Sequence, residues 1–273
     1  MRLSCLPRSR FARITRGDMT LNDWFRFAAE LGLDGVECSP MFLPPLGTTS
    51  HLDFRRQAEK HGLAVSNFTC YSDFTQPDPA TREREVEAMF ANALAAKEMG
   101  SPTVRALTGQ QWPGVDRREG VAWVVEAIRR VCAEADRLGI KVVIENHTQA
   151  FTWKYFDFAM QGDVLLEILD LLRDTSVGIQ FDTGNPLVAG EDPLALFEKL
   201  QDRIAYVHLN DVPRPGVFEF AAVGSGIAPN REVLSRLKRA GFGGWVGIEE
   251  ASVGDDASYQ SAVAYARAAW EAG

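Results

Sequence analysis

The sequence predicts a (β/α)₈ barrel forming one domain over residues 1–273, on three observations. Short apolar, β-branched-rich runs alternate eight times with longer segments of helical period, the pattern of repeated βα units around a parallel sheet. The length of 273 residues matches the roughly 250 typical of one closed barrel. The longest irregular segments, Pro40 to Ser50, Thr108 to Asp116, Asn146 to Gln161 and Asp211 to Asn230, each follow a strand candidate. In a barrel such loops emerge together on the C-terminal face, where active sites are built.

The first strand is expected at Leu3 to Leu6, followed by a helix from Leu21 to Leu31. Thr20 precedes that helix, and its hydroxyl can accept from the free N–H groups of the first turn. Gly35 to Cys38 reads as the second strand and Leu52 to Lys60 as its helix. Ala64 to Thr69 is the third, with a helix from Thr81 to Met99 that stops at Gly100, where glycine tolerates the left-handed turn. Thr103 to Leu107 and Lys141 to Glu145 are strands four and five, separated by a helix from Arg117 to Leu138 that stops at Gly139. A helix from Gly162 to Leu172 leads to strand six, Gly178 to Asp182, and Asp192 then opens a helix from Pro193 to Leu200. Ile204 to Leu209 is strand seven, followed by a helix from Arg231 to Ala240 that ends at Gly241. Trp245 to Glu249 is strand eight, and Ala257 to Trp270 closes the chain. The repeats Leu31-Gly32-Leu33 and Leu138-Gly139-Ile140, with His61-Gly62-Leu63 as a variant, read as helix ends leading into strands, a structural repeat without functional content.

Bulk properties narrow the function. Hydrophobic residues at 46% and charged residues at 24% are those of a globular protein with a sizeable core. A formal net charge of −8 repels phosphate backbones and anionic membranes, so neither nucleic acid nor membrane is an expected partner. Cys5, Cys38, Cys70 and Cys132 are scattered without a C-x-x-C pair, which suggests neither a disulfide framework nor a thiolate metal site, and a reducing cytoplasm is the simple reading. No apolar run approaches 18 residues, and those between Arg2, Arg8, Arg10 and Arg13 are too short for a signal peptide.

Four residues with metal-ligand chemistry stand at the C-terminal ends of consecutive strands: Glu145, Asp182, His208 and Glu249. Their spacings of 37, 26 and 41 residues are each about one βα unit, so barrel closure brings them to one rim. Three carboxylates there would repel one another, and each costs several kcal/mol near a core unless paired or bound to a cation. One divalent ion answers both problems. An oxygen-rich set with one imidazole favours Mn²⁺, with Mg²⁺, Co²⁺ or Zn²⁺ as alternatives. The bland reading of each acid by itself is a helix cap or a salt-bridge partner.

With these residues in view, the whole chain resembles the sugar phosphate isomerase/epimerase family, the xylose isomerase-like TIM barrels that include ketose 3-epimerases, inosose isomerases and dehydratases, and hydroxypyruvate isomerase. Ile144-Glu145-Asn146, Asp182-Thr183-Gly184-Asn185, Val207 to Asp211 (VHLND) and Ile248-Glu249-Glu250 match the family's metal motifs in order and spacing. The resemblance implies that Glu145 and Glu249 hold the metal and also move protons on opposite sides of a sugar or cyclitol. It implies dimers or tetramers as well. A metal that chelates a carbonyl oxygen and the neighbouring hydroxyl acidifies the carbon between them and stabilises the enediolate. Reprotonation from the opposite face epimerises, reprotonation at the adjacent carbon isomerises, and loss of a β-leaving group makes the enzyme a lyase.

Secondary positions bear on that choice. His147, just past strand five, is a substrate-binding or acid/base candidate and otherwise a loop residue. Family ketose 3-epimerases do not usually carry histidine there, whereas relatives that eliminate from 3-keto glycosides resemble the Ile-Glu-Asn-His arrangement more closely. Asn185 stands where ketose epimerases place a histidine that contacts sugar oxygens; the alternative is a capped turn. Arg214, six residues after His208, matches a substrate-contacting arginine of related epimerases or is a solvated surface residue. Glu37, Asn67, Arg105 and Gln180 could bind sugar hydroxyls or be satisfied polar core groups, and strand alternation puts Gln180 on the same face as Asp182. Trp112, Phe151, Trp153, Tyr155, Phe156 and Phe158 fall in the rim loops, where they stack on sugar or pack the mouth. Gly224-Ser225-Gly226 superficially suggests a phosphate loop, but no lysine accompanies it and no phosphorylated substrate is inferred. A multi-zinc endonuclease of the same barrel type needs more than the four histidines present, and a non-catalytic sugar-binding subunit has no need of two glutamates placed for proton transfer.

Overall fold

The chain winds eight parallel strands into a barrel, and a computed structural model describes residues 1–252 and 255–273 of it. The strands are β1 (Arg2–Leu6), β2 (Gly35–Cys38), β3 (Ala64–Thr69), β4 (Thr103–Ala106), β5 (Lys141–Glu145), β6 (Gly178–Asp182), β7 (Ile204–Leu209) and β8 (Trp245–Glu249). Each pairs in parallel with the next from β2 to β8, and β8 pairs with β1. Between β1 and β2 the described residues form no ladder. Asp34 bridges that seam instead: its N–H donates to Leu3 O at 2.8 Å and its Oδ2 accepts from Leu3 N–H at 2.8 Å.

Helices cover the outside: α1 (Phe11–Thr15), α2 (Leu21–Glu30), α3 (His51–Lys60), α4 (Pro79–Met99), α5 (Arg117–Leu138), α6 (Gly162–Leu171), α7 (Asn185–Val188), α8 (Pro193–Leu200), α9 (Asn230–Arg239) and α10 (Asp256–Ala272). Their starts follow side-chain chemistry. Thr20 and Asp23 form a reciprocal capping box on α2, and Asp78, Asp116 and Asp255 cap α4, α5 and α10. Gly100 and Gly139 take φ of 75° and 73° at the ends of α4 and α5, a left-handed turn that a β-carbon would strain. Several boundaries shift by one or two residues from the sequence reading, and two short helices are added. β4 stops at Ala106 rather than Leu107, α4 begins at Pro79 because Asp78 is the cap, and α1 and α7 are too short to leave a periodic signature.

Strand alternation sorts the residues into two compartments. Leu3, Val36, Val104, Ile144, Phe181 and Val246 belong to the apolar layer under the helices. The alternate set, including Ser4, Glu37, Asn67, Arg105, Gln180, Tyr206 and His208, is buried and polar. These groups satisfy one another: the Tyr206 hydroxyl meets Ser4 Oγ at 2.7 Å and Ser66 Oγ at 2.9 Å, and Asn67 links Thr103 to Gln180, both at 2.7 Å. Register shifts fall at Val36/Glu37 and Ile179/Gln180 and re-aim these two polar side chains. No helix of the described residues is long and apolar enough to cross a membrane.

Candidate metal centre

Glu145, Asp182, His208 and Glu249, the last or near-last residues of β5 to β8, converge at the C-terminal rim. One ligand atom from each lies within 4.8 Å of the others, and all four residues are buried. Asp182 and His208 are register partners across β6 and β7. His208 Nδ1 lies 2.9 Å from Glu145 Oε1 and 3.7 Å from Glu249 Oε2, while its Nε2 is held by the Glu37 carboxylate at 2.9 Å. One ring nitrogen is thus tied behind and the other is aimed at the acids. Glu37 is itself fixed by Thr69 Oγ1 at 2.9 Å and Asn67 Nδ2 at 3.3 Å, and a β-carbon at Gly247 would collide with its Oε1. Asp182 faces two ways. Its Oδ1 accepts from the backbone N–H of Gly184 (2.8 Å) and Asn185 (2.6 Å), opening α7, which leaves Oδ2 for the cluster.

Charge decides whether a cation fits. Burial would raise the Glu145 carboxyl, but the Arg105 guanidinium and then His208 overcome it and hold Glu145 well below the ordinary carboxylate range. Burial, followed by the charges of Glu249 and Glu145, pushes Asp182 well above its ordinary value. Burial would lower His208, yet Glu37 and then Glu145 hold it well above 6.5. Asp182 and His208 pushed up and Glu145 pulled down mark a cluster of acids that favours added positive charge, which a divalent ion would supply. Three carboxylates and one imidazole make a donor set suited to a hard or borderline divalent metal.

The rim residues beyond the quartet divide clearly. Gln180 donates to Glu145 Oε1 at 2.9 Å and lies 3.1 Å from His208 Nδ1, and Asn67 bonds Gln180; the two brace the cluster from within the barrel, as Glu37 does. His147 Nδ1 faces Asp157 Oδ2 at 3.4 Å, and its ring meets Trp153 edge-on at 5.8 Å. Asn185 is buried against Thr148, 3.2 Å from Asn185 Oδ1. Arg214 lies in the loop after β7, its side chain 67% exposed and 3.9 Å from Glu219, outside the residues that line the cleft. Gly224, Gly226 and Ala228 direct their backbone N–H groups at the Asp211 carboxylate, at 2.9, 3.0 and 2.9 Å, so the G-x-G segment binds a side chain of its own loop.

Contacts that the sequence reading left unassigned complete the site. Arg105 Nη1 donates to Glu145 Oε2 at 2.6 Å from the neighbouring strand β4. Asn210 Nδ2 donates to Glu249 Oε2 at 3.1 Å and lies 3.4 Å from Asp182 Oδ2, and Asn146 is bonded to the Asp182 backbone at both ends. A narrow cleft with about 20 Å³ of free space lies at the centre between Arg8, Tyr71, Arg105, His147, Phe151 and Glu249.

The polar centre at the rim of an eightfold barrel now has a family to compare with. A family model described as a xylose isomerase-like TIM barrel matches residues 25–269. The chain belongs to this family. Among xylose isomerase-like barrels, a candidate hydroxypyruvate isomerase of Streptomyces coelicolor is 28% identical over 248 residues, 86% of either chain. An inosose dehydratase of Lacticaseibacillus casei is 24% identical over 183 residues, 60% of this chain and 59% of that one. In fold, the chain is similar to a D-allulose 3-epimerase from Methylomonas sp., with a TM-score of 0.78 and 18% identity over 98% of both chains. Sugar isomerases, epimerases and dehydratases thus share this architecture, and the buried quartet could hold a metal ion.

Glu37 offers a direct test of the centre. Glu37→Gln should weaken Mn²⁺ affinity by about 10–100-fold, the effect typical of losing a carboxylate behind a ligating histidine. Competition against a chelating dye measures it, and unchanged affinity would mean that His208 is not a ligand.

Proposed function

We propose that the chain is a divalent-metal-dependent isomerase or epimerase of a ketose, keto-sugar or cyclitol, with Glu145, Asp182, His208 and Glu249 as ligands and Mn²⁺ as the favoured ion. The observation that carries the reading is the pair of glutamates, brought from β5 and β8 into one buried quartet, with Glu249 lining the cleft beside it. The bound ion supplies positive charge beside a carbonyl and its neighbouring hydroxyl, so that the carbon between them becomes acidic. Glu249 lines the cleft, and its Oε1 has only a loose contact with Arg8 at 3.7 Å, which leaves an oxygen available to take the proton. Glu145, gripped by Arg105 and Gln180, would take up a proton from solvent and return it from its own side, while Glu249 releases to solvent the proton it took. Return to the opposite face of the same carbon inverts the centre, and return to the adjacent carbon moves the carbonyl.

One observation favours a second reading, β-elimination by a dehydratase. His147 lies on the cleft wall with Nδ1 toward Asp157, and Asp157 is anchored by Thr108 Oγ1 and the Ala159 N–H. This leaves Nε2 of His147 to deliver a proton to a departing oxygen. Proton NMR in deuterated water on ketoses, inososes and 3-keto glycosides separates the two. Deuterium gained at one carbon with no new unsaturation supports the isomerase or epimerase, an enone signal supports the dehydratase, and neither signal from any member of the panel would refute both.

A further inference from the structure

The cleft beside the quartet holds guanidinium donors that the chain's own acceptors leave unused. Arg105 is 1% exposed and stacks its guanidinium 5.0 Å from the centre of the Tyr71 ring. Its Nε donates to Cys70 O at 3.2 Å and its Nη1 to Glu145, but the buried Nη2 has no hydrogen-bond partner. A buried N–H left unmatched costs about 1–3 kcal/mol, so the fold holds a donor that the folded chain by itself does not satisfy. Arg8, in a 3₁₀ turn at Arg8–Arg10 after β1, lines the same cleft with its side chain 24% exposed. Its guanidinium rests 4.4 Å from the Phe220 ring centre, makes no hydrogen bond among the described residues, and touches Glu249 only at 3.7 Å. Glu249 is the one acid lining the cleft, and the proposed function commits it to the metal and the proton.

From this we infer that the substrate carries a carboxylate, bound between Arg8 and Arg105 beside the hydroxy-ketone end that reaches the metal centre. The inference rests on the proposed function for the reacting end only. A guanidinium is donor-only and permanently charged, and its fork matches two coplanar oxygens. A carboxylate has about four lone-pair sites and can accept from both arginines, whereas a hydroxyl cannot serve two forks. A phosphoryl group is the rival anion. Among the described residues no lysine lines the cleft, and the backbone N–H cradle at Gly224–Gly226 is already bonded to Asp211.

The test is calorimetric titration of the Mn²⁺-loaded protein with hydroxypyruvate and with dihydroxyacetone, which share a hydroxy-ketone and differ by a carboxylate against a hydroxymethyl. Hydroxypyruvate should bind at least about tenfold more tightly. Arg8→Gln should bring the two within about twofold when each is titrated at saturating Mn²⁺, and Arg105→Lys should also reduce the preference. Equal binding of the two probes to the wild type, or a preference intact in both variants, would overturn the inference. Dihydroxyacetone phosphate binding more tightly than hydroxypyruvate would overturn it in favour of a phosphoryl group. Because the preference is an equilibrium quantity, it survives failure of the proton-transfer reading, which the deuterium experiment reads separately.

Discussion

Glu249→Gln should lower turnover by about 10²–10⁴-fold, the usual worth of a positioned acid or base, and Glu145→Gln by a similar factor. Glutamine keeps the shape of the side chain and removes both the charge and the transferable proton. The two variants should differ in stability. Glu145 and Arg105 form a buried pair at 2.6 Å with side-chain exposures of 0% and 2%, so Glu145→Gln leaves an uncompensated buried cation at a cost of about 3–5 kcal/mol. Glu249 is partly open to the cleft and meets Arg8 only at 3.7 Å, so its variant should melt close to the wild type. Turnover measured with thermal melts of both variants checks this. Wild-type turnover in either variant would sink the two-carboxylate mechanism, and equal melting temperatures would mean that the Arg105 pair is not sustained in solution.

Withdrawal of the metal should abolish turnover and lower the melting temperature. An ion present at 1,000 times its dissociation constant adds about 4 kcal/mol to the folded state, on the order of 10 °C for a chain of this length. The loss should also depend on pH. In the metal-free protein Asp182 and His208 keep their protons to higher pH when folded than their ordinary values of 3.8 and 6.5. Above those values the folded state binds more protons than the unfolded state, so stability falls as pH rises. Glu145 has the opposite sign: its contribution is present above the ordinary value of 4.5 and is lost only in acid. A metal ion displaces the protons on Asp182 and His208, so the gap in melting temperature between loaded and chelator-treated protein should be wider at pH 8 than at pH 6. Calorimetric melts at the two pH values decide it, and a gap that narrows at pH 8 would contradict the raised values of Asp182 and His208.

The barrel and the quartet were legible because both are written in local pattern. β5, β6 and β8 each end on an acid and His208 is next to last in β7, so Glu145, Asp182, His208 and Glu249 needed only closure of the sheet to meet. Gln180 followed from its two-residue offset to Asp182. What stayed hidden depends on distances between strands or on the path of loops. Arg105 reads as a sugar contact or a polar core group until β4 and β5 fix their register and set it against Glu145. Asn210 sits two residues past His208 with nothing in its neighbours to announce that it bridges Asp182 and Glu249. Arg8 comes from the far N-terminus, carried to the cleft by a turn too short to show a period. Asn185 was read as a sugar contact or a turn; the structure makes it the first residue of α7 and turns its side chain to Thr148.

The loop after β7 carries its own resident anion. Because the Asp211 carboxylate occupies the three backbone donors from Gly224 to Ala228, any phosphorylated guest would have to evict a tenant that is tethered by the chain and never diffuses away. Discrimination against such guests is then a matter of prior occupancy rather than of shape or of distant charge repulsion.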